Sequence, residues 1–236
     1  MVPGIVFDMD GVLIDSERLV LRAWEEVARE CGLPCLRELF YQCIGVTHTR
    51  TAELFNAFCG GSMEYENFRG RVRERYLDFI KDGVPIKSGA VELLTWLRGE
   101  GWRIGLASSS REASVCRAMN STGLRPFFHT LICGDMLTAS KPEPDIYLRA
   151  CTELGVSPAR TFAVEDSLNG VRSASRAGMK TLLVPDLIEP NREMRALALR
   201  IFPDLGAVLH WLKEAAEVTL RASSGVQEFS GTAEKQ

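Results

Sequence analysis

The sequence predicts an α/β protein, a doubly wound parallel sheet into which a small all-helical cap is inserted. Three observations carry that expectation. The chain opens on a short apolar run, Ile5-Val6-Phe7, that ends in Asp8-Met9-Asp10-Gly11. Unbroken apolar residues before a turn suit a strand buried on both faces. From Gly89 to Val184, strand-like and helix-like stretches alternate, the pattern of a parallel sheet with right-handed crossovers and helices on both sides. Between Leu13 and Val84, by contrast, no strand-like run occurs, so this block is an insertion and not part of the alternation.

The elements follow in order. Over Ser16–Cys31, Leu19, Val20, Ala23, Trp24, Val27 and Ala28 recur at helical spacing, and Gly32 closes the helix. Further helices are expected at Leu36–Cys43, Thr49–Cys59 and Met63–Lys81, separated by Gly45 and Gly60-Gly61. After Gly89, Val91–Arg98 reads as a helix and Arg103–Ala107 as a strand running into Ser108-Ser109-Ser110. A helix to Thr122 follows, capped by Ser109 or Ser110 and stopped by Gly123. Thr130–Cys133 is the next strand, and Asp145–Leu154 a helix with Pro144 near its start. Thr161–Val164 and Thr181–Val184 are strands around a helix at Leu168–Ala177, and Pro203–Ala216 carries a last helix. Residues 221–236 are Ser/Gly/Glu-rich and aperiodic, so a mobile tail is expected there. The resulting division is a core of residues 1–15 and 84–220, a helical cap of residues 16–83, and the tail.

Composition bounds the function. The hydrophobic fraction of 46% and charged fraction of 25% are those of an ordinary globular protein. A formal net charge of -3 gives no field for drawing in nucleic acid or anionic lipid, so an anionic substrate must be held by a local site. The seven cysteines are scattered with no Cys-x-x-Cys, and Cys31 and Cys35 lack a second pair to complete a zinc site. Reduced thiols in a reducing compartment are expected. No apolar run approaches a membrane span and the N-terminus lacks a signal-peptide pattern. The expectation is a cytoplasmic protein, monomeric because no unexplained amphipathic stripe calls for a partner.

The chemistry concentrates at strand ends. On a strand, Asp8 and Asp10 point the same way, and open parallel sheets bind ligands beyond the carboxyl ends of their strands. Ser108 ends a second strand, and Glu165 and Asp166 a later one. Lys141 stands in the proline-stiffened loop Ser140-Lys141-Pro142-Glu143-Pro144. Singly, each has an ordinary reading: Ser108 as part of a helix cap, Glu165-Asp166 as an acidic helix start, Lys141 as a solvated lysine. Together, four carboxylates at one edge would repel unless a divalent cation sat among them, and hard oxygen donors beside a phosphate site favour magnesium. Lys141 and Ser108 then offer a cation and a hydroxyl to phosphoryl oxygens.

The order of these pieces resembles the haloacid dehalogenase-like superfamily of phosphotransferases. Its four motifs match Asp8-Met9-Asp10-Gly11-Val12-Leu13, Ala107-Ser108-Ser109, Lys141-Pro142 and Glu165-Asp166-Ser167-x-x-Gly170, in sequence. The resemblance implies a Rossmann-like core with Asp8 as nucleophile, forming an aspartyl-phosphate, and Asp10 as general acid and then base. It implies that Ser108, with Ser109 beside it, and Lys141 hold the phosphoryl group. Mg2+ would be bound by Asp8, the Asp10 carbonyl and Asp166, with Glu165 as ligand or close support. The second aspartate weighs against true dehalogenation. The insertion directly after the first motif, with residues 109–140 too short for a second one, implies the family's small helical cap, hinged at Leu13–Ser16 and Gly83–Gly89, which excludes water and chooses the substrate.

Within the family the chain looks most like β-phosphoglucomutases and sugar-phosphate phosphatases. The mutase's cap histidine falls at Val20 here, which cannot shuttle a proton, so hydrolysis of a small phosphorylated metabolite is favoured over the mutase alternative. Thr47, His48 and Arg50 lie in what resembles the substrate-specificity loop, with His48 equally readable as an exposed loop histidine. Lys87-Ser88-Gly89 and Glu112 are further candidates for the pocket border. A non-catalytic binding module on the same fold is the remote alternative, and it would have no need of Asp10.

Overall fold

The computed structural model describes residues 3–44 and 48–225, with side chains through residue 216. Among them, six parallel strands form one sheet. In chain order they are β1 (Gly4–Phe7), β2 (Arg103–Ser108), β3 (Thr130–Cys133), β4 (Thr161–Glu165), β5 (Lys180–Leu183) and β6 (Arg200–Ile201). Their spatial order is β3-β2-β1-β4-β5-β6. The chain winds outward from β1 on one side and then returns to its other side. The topological switch point therefore lies between β1 and β4, where such sheets open a crevice for ligands.

The apolar run of β1 is unbroken because both of its faces are covered. Ile5 and Phe7 join Leu93, Leu97, Val208 and Leu212 from α5 (Ala90–Gly99) and α10 (Leu205–Gly225) on one face. Val6 packs with Tyr147, Ala150 and Leu154 of α7 (Asp145–Leu154) on the other. Each of these three β1 side chains is fully buried. Three further core helices, α6 (Glu112–Ser121), α8 (Leu168–Arg176) and α9 (Arg192–Leu197), complete the layers.

The helical cap consists of α1 (Ser16–Glu30), α2 (Arg37–Cys43), α3 (His48–Cys59) and α4 (Tyr65–Phe79). It has its own apolar centre, in which Trp24 meets Phe40 and Phe68 edge-on at 5.3 and 5.2 Å between ring centroids. The two linkers to the core pair with each other: Asp15 N donates to the Pro85 carbonyl at 2.8 Å and Lys87 N to that of Leu13 at 2.9 Å.

The structure departs from the sequence reading at identifiable places. Neither Ser109 nor Ser110 caps α6, which starts at Glu112 with Arg111 before it. The Asp135 carboxylate, from the turn after β3, accepts from the Glu112 amide at 2.9 Å, so a long-range group does what a local serine was expected to do. Helix α9 and the two-residue β6 were not predicted, being too short to show a period. Helix α10 continues to Gly225, so residues 221–225 are helical where a tail was expected. The rest of the expected tail, 226–236, lies outside the described residues. All seven cysteines are free thiols, and among the described residues no helix is long and apolar enough to cross a membrane.

Candidate active site

The ends of β1, β2 and β4 converge because their register is level. Phe7 pairs with Leu106 on one side and Val164 on the other, and the Asp8 amide continues the ladder to the Val164 carbonyl at 3.0 Å. Asp8, Ser108 and Glu165 therefore emerge at one edge of the sheet. Of these, Asp8 opens onto a cleft of about 850 Å³ between core and cap, lined by Asp8, Asp10, Ser109, Ser110, Lys141 and Asp166 from the core and by Glu17, Val20, Arg73 and Tyr76 from the cap, while Ser108 and Glu165 are buried beneath it.

Lys141 is the hub. Its Nζ donates to Asp8 Oδ1 at 2.5 Å, Glu165 Oε1 at 2.6 Å and the Ala107 carbonyl at 3.0 Å, so it is neither solvated nor mobile. The Tyr147 hydroxyl adds a second donor to Glu165 Oε1 at 2.6 Å. The other Glu165 oxygen accepts from the Asp166 amide at 3.2 Å and the Ser167 hydroxyl at 3.2 Å. Glu165 is fully buried, and a Cβ at Gly170 would lie 1.9 Å from its carboxylate. Glycine in the fourth motif is thus required by close approach. Gly11 is fixed in the same way: its φ is +78° and a Cβ would fall 2.2 Å from Asp166 Oδ2.

Asp10 is held differently from its neighbours. Ser16 donates to its Oδ1 at 2.6 Å and Ser110 to its Oδ2 at 3.1 Å. Burial nevertheless pushes its carboxyl above the ordinary aspartate range. Burial also pushes Asp8 up to about 8, against the pull of Lys141, and raises Asp166. Glu17, in the first turn of α1, rises to about 7 through burial and the carboxylates of Asp10 and Asp186. Four core carboxylates thus share the edge with one ammonium.

This donor set fits a small divalent cation. Oxygens of Asp8, Glu165 and Asp166 come within 4.8 Å of one another, and hard carboxylate donors short of positive charge suit Mg2+. Because both Glu165 oxygens already accept from Lys141, Tyr147, Asp166 and Ser167, Glu165 acts here as the anchor of Lys141. The Asp10 side chain is taken up by its serines, leaving its carbonyl as the group available to an ion.

The sequence-derived residues divide sharply. Asp8, Asp10, Ser109, Lys141 and Asp166 line the cleft, with Ser108 buried beneath and its Oγ accepting from the Ser110 amide at 3.1 Å. His48 and Arg50 do not line it: they are exposed on α3, with His48 Nε2 2.8 Å from Glu66 and Arg50 2.9 Å from Glu53. Thr47 lies outside the described residues. Lys87 is drawn to Asp186 at 2.7 Å, and Glu112 gives only its amide, to Asp135. Tyr147, Ser16 and Ser110 were missed as site residues. Ser110 carried a signal in the serine run but was read as a cap, whereas Tyr147 looks in the sequence like any core helix residue.

Known proteins extend this picture. Residues 5–184 match the family described as haloacid dehalogenase-like hydrolase. The chain is 29% identical over 179 residues to the phosphorylated carbohydrates phosphatase of Thermotoga maritima, covering 76% of this chain and 83% of that one. It is 31% identical over 183 residues to the β-phosphoglucomutase of Bacillus subtilis, covering 75% and 80% respectively. A crystal structure of a putative β-phosphoglucomutase from Thermotoga maritima superposes with a TM-score of 0.77 at 27% identity, over 90% of this chain and 99% of the other. A match across the strands and loops that build the cleft makes this chain a member of the haloacid dehalogenase-like hydrolase family.

Proposed function

We propose that the chain is a magnesium-dependent phosphatase that hydrolyses a small phosphorylated metabolite, a sugar phosphate, through an aspartyl-phosphate. One observation carries this reading: the end of β1 presents two carboxylates to the same cleft in different settings, Asp8 against an ammonium and Asp10 against two hydroxyls. That is the division of labour between nucleophile and proton carrier. An Asp8 oxygen attacks phosphorus and the ester P–O bond breaks, while Asp10 gives its proton to the departing alkoxide. Asp10, now ionised, takes a proton from water as that water attacks the aspartyl-phosphate, releasing inorganic phosphate and restoring Asp8. Lys141 and the Ser108 hydroxyl hold the phosphoryl oxygens, Ser109 borders them, and Glu165 with Tyr147 keeps Lys141 aimed. Mg2+ would be held by Asp8, Asp166 and the Asp10 carbonyl, and when bound it supplies the positive charge that keeps Asp8 ionised beside an anionic substrate. Residues 16–83 would close as a cap over the core on the paired linkers, excluding water.

Phosphate release across a panel of sugar phosphates with Mg2+, repeated in EDTA, tests the reading. Release that stops under chelation is expected, and release that survives it would remove the metal from the scheme. Asp8→Asn should abolish turnover and leave the melting temperature at or above that of the parent. A loss of merely a fewfold would sink the aspartyl-phosphate.

The similarity to β-phosphoglucomutases supports a second reading, transfer instead of hydrolysis. Val20 lines the cleft where the resemblance expects a histidine, and an alkyl side chain carries no proton. Conversion of β-glucose 1-phosphate to the 6-phosphate faster than its hydrolysis would reverse that preference.

A further inference from the structure

We propose that Glu17 is the specificity-determining residue of the cleft, the acceptor for hydroxyl groups on the carbon chain next to the phosphate ester. This rests on the phosphatase reading and extends it to how the substrate is chosen. Glu17 is half-buried and lines the cleft on the cap side, opposite the phosphoryl-binding residues of the core. Among the described residues its carboxylate has no hydrogen-bond or ion-pair partner. The acids around it are matched: Asp10 by Ser16 and Ser110, Asp186 through one oxygen by Arg18 and Lys87, and Asp15 by Arg18. The charges that act on Glu17 are carboxylates, Asp10 and Asp186.

A partly buried carboxylate without donors, facing other carboxylates, destabilises the free protein. Such a group is relieved by donors from outside. Its two free oxygens can accept from two neighbouring hydroxyls, as a vicinal diol presents them. The rest of the cap wall sets the apolar side chains of Val20, Ile44, Leu77 and Ile80 and the Tyr76 ring beside two cations, Arg73 and Lys81. The apolar part packs on the C–H faces of a sugar or polyol, and the cations only donate, so among the described residues Glu17 has no rival carboxylate on that wall. Sites built to bond a substrate hydroxyl reject the analogue lacking it strongly, because their polar group is then left unpaired.

The test compares wild type with Glu17→Gln and Glu17→Ala on glucose 6-phosphate, sorbitol 6-phosphate, phosphoethanolamine and cyclohexylmethyl phosphate, which has a ring but no hydroxyls. Expected is a fall of about tenfold to a hundredfold in the ratio of kcat/KM for a hydroxylated ester to that for cyclohexylmethyl phosphate, carried by KM. The melting temperature of Glu17→Gln should be no lower than that of the parent, since a repelled charge is removed. An equal loss on all esters, or none on any, overturns the proposal. So does a larger loss on phosphoethanolamine than on sorbitol 6-phosphate, which would assign Glu17 to an ammonium group. If wild type releases no phosphate at all, the phosphatase reading falls by itself. Calorimetric titration with sorbitol 6-phosphate then decides Glu17: weaker binding by the variants sustains its role, and equal binding ends it.

Discussion

Replacing Lys141 by methionine removes the ammonium on which the metal-free site depends, and its cost follows from the geometry. The Lys141 side chain is 6% exposed and bonded to Asp8, 12% exposed, and to Glu165, fully buried. Breaking a buried pair by deleting one partner costs about 3–5 kcal/mol. Glu165 keeps the Tyr147 hydroxyl, the Asp166 amide and the Ser167 hydroxyl, which holds its share near the lower limit. Asp8 makes the loss depend on pH. Its folded value is already raised to about 8 with Lys141 present. An acid raised by folding contributes stability below its unfolded value and loses it as pH rises through the folded one. Without Lys141 that value climbs further, and each added unit costs about 1.4 kcal/mol once pH exceeds both values. The variant should therefore lose about 3 kcal/mol at pH 6 and about 4–5 kcal/mol at pH 9, both in EDTA. Urea unfolding at the two pH values measures this, and at about 2–4 °C per kcal/mol the melting temperature should fall by roughly 10 °C. A loss below about 1 kcal/mol at either pH would refute the reasoning, as would a gap that narrows as pH rises.

Three other changes probe separate parts of the site. Asp10→Asn retains groups for the Ser16 and Ser110 contacts but carries no proton to the leaving group, so turnover should drop by about 10²–10⁴. Because burial raises Asp10, its stability above neutral pH should be unchanged or higher; a lower melting temperature would contradict the shift. Tyr147→Phe strips one donor from buried Glu165 and should cost about 1–3 kcal/mol by urea unfolding; a neutral result would mean that Lys141 alone satisfies that oxygen. Gly170→Ala places a methyl group 1.9 Å from the Glu165 carboxylate. Displacing the Lys141 anchor by about an ångström should cost on the order of a hundredfold in turnover, checked by steady-state kinetics on the soluble variant.

The cap shows where reading from residues alone stops. The helices of 16–83 announce themselves through apolar spacing, and Trp24, Phe40 and Phe68 pack as that spacing implies. Yet His48 and Arg50, chosen from a loop that resembles a specificity segment, are spent on Glu66 and Glu53 at the surface. Glu17, which stands in the cleft, drew no role of its own from the sequence because nothing local shows that it lacks a partner. Whether a polar side chain is matched depends on residues far away in the chain.

The acids and the serine at the floor of the cleft sit in short motifs at strand ends, and the backbone itself makes them readable. A buried strand must be apolar until it leaves the sheet, so the first polar residues mark its edge, and parallel strands bring their carboxyl ends to one side. For the same reason the winding of the sheet and the insertion after Leu13 follow from local pattern. The partners of those residues do not. That Lys141 joins Asp8 to Glu165, that Tyr147 supports it, that Ser110 reaches Asp10, and that Asp135 caps α6 are contacts between residues far apart in the chain. Such contacts depend on how helices and strands pack, and hydrogen bonding at a given distance leaves no periodic trace along the chain.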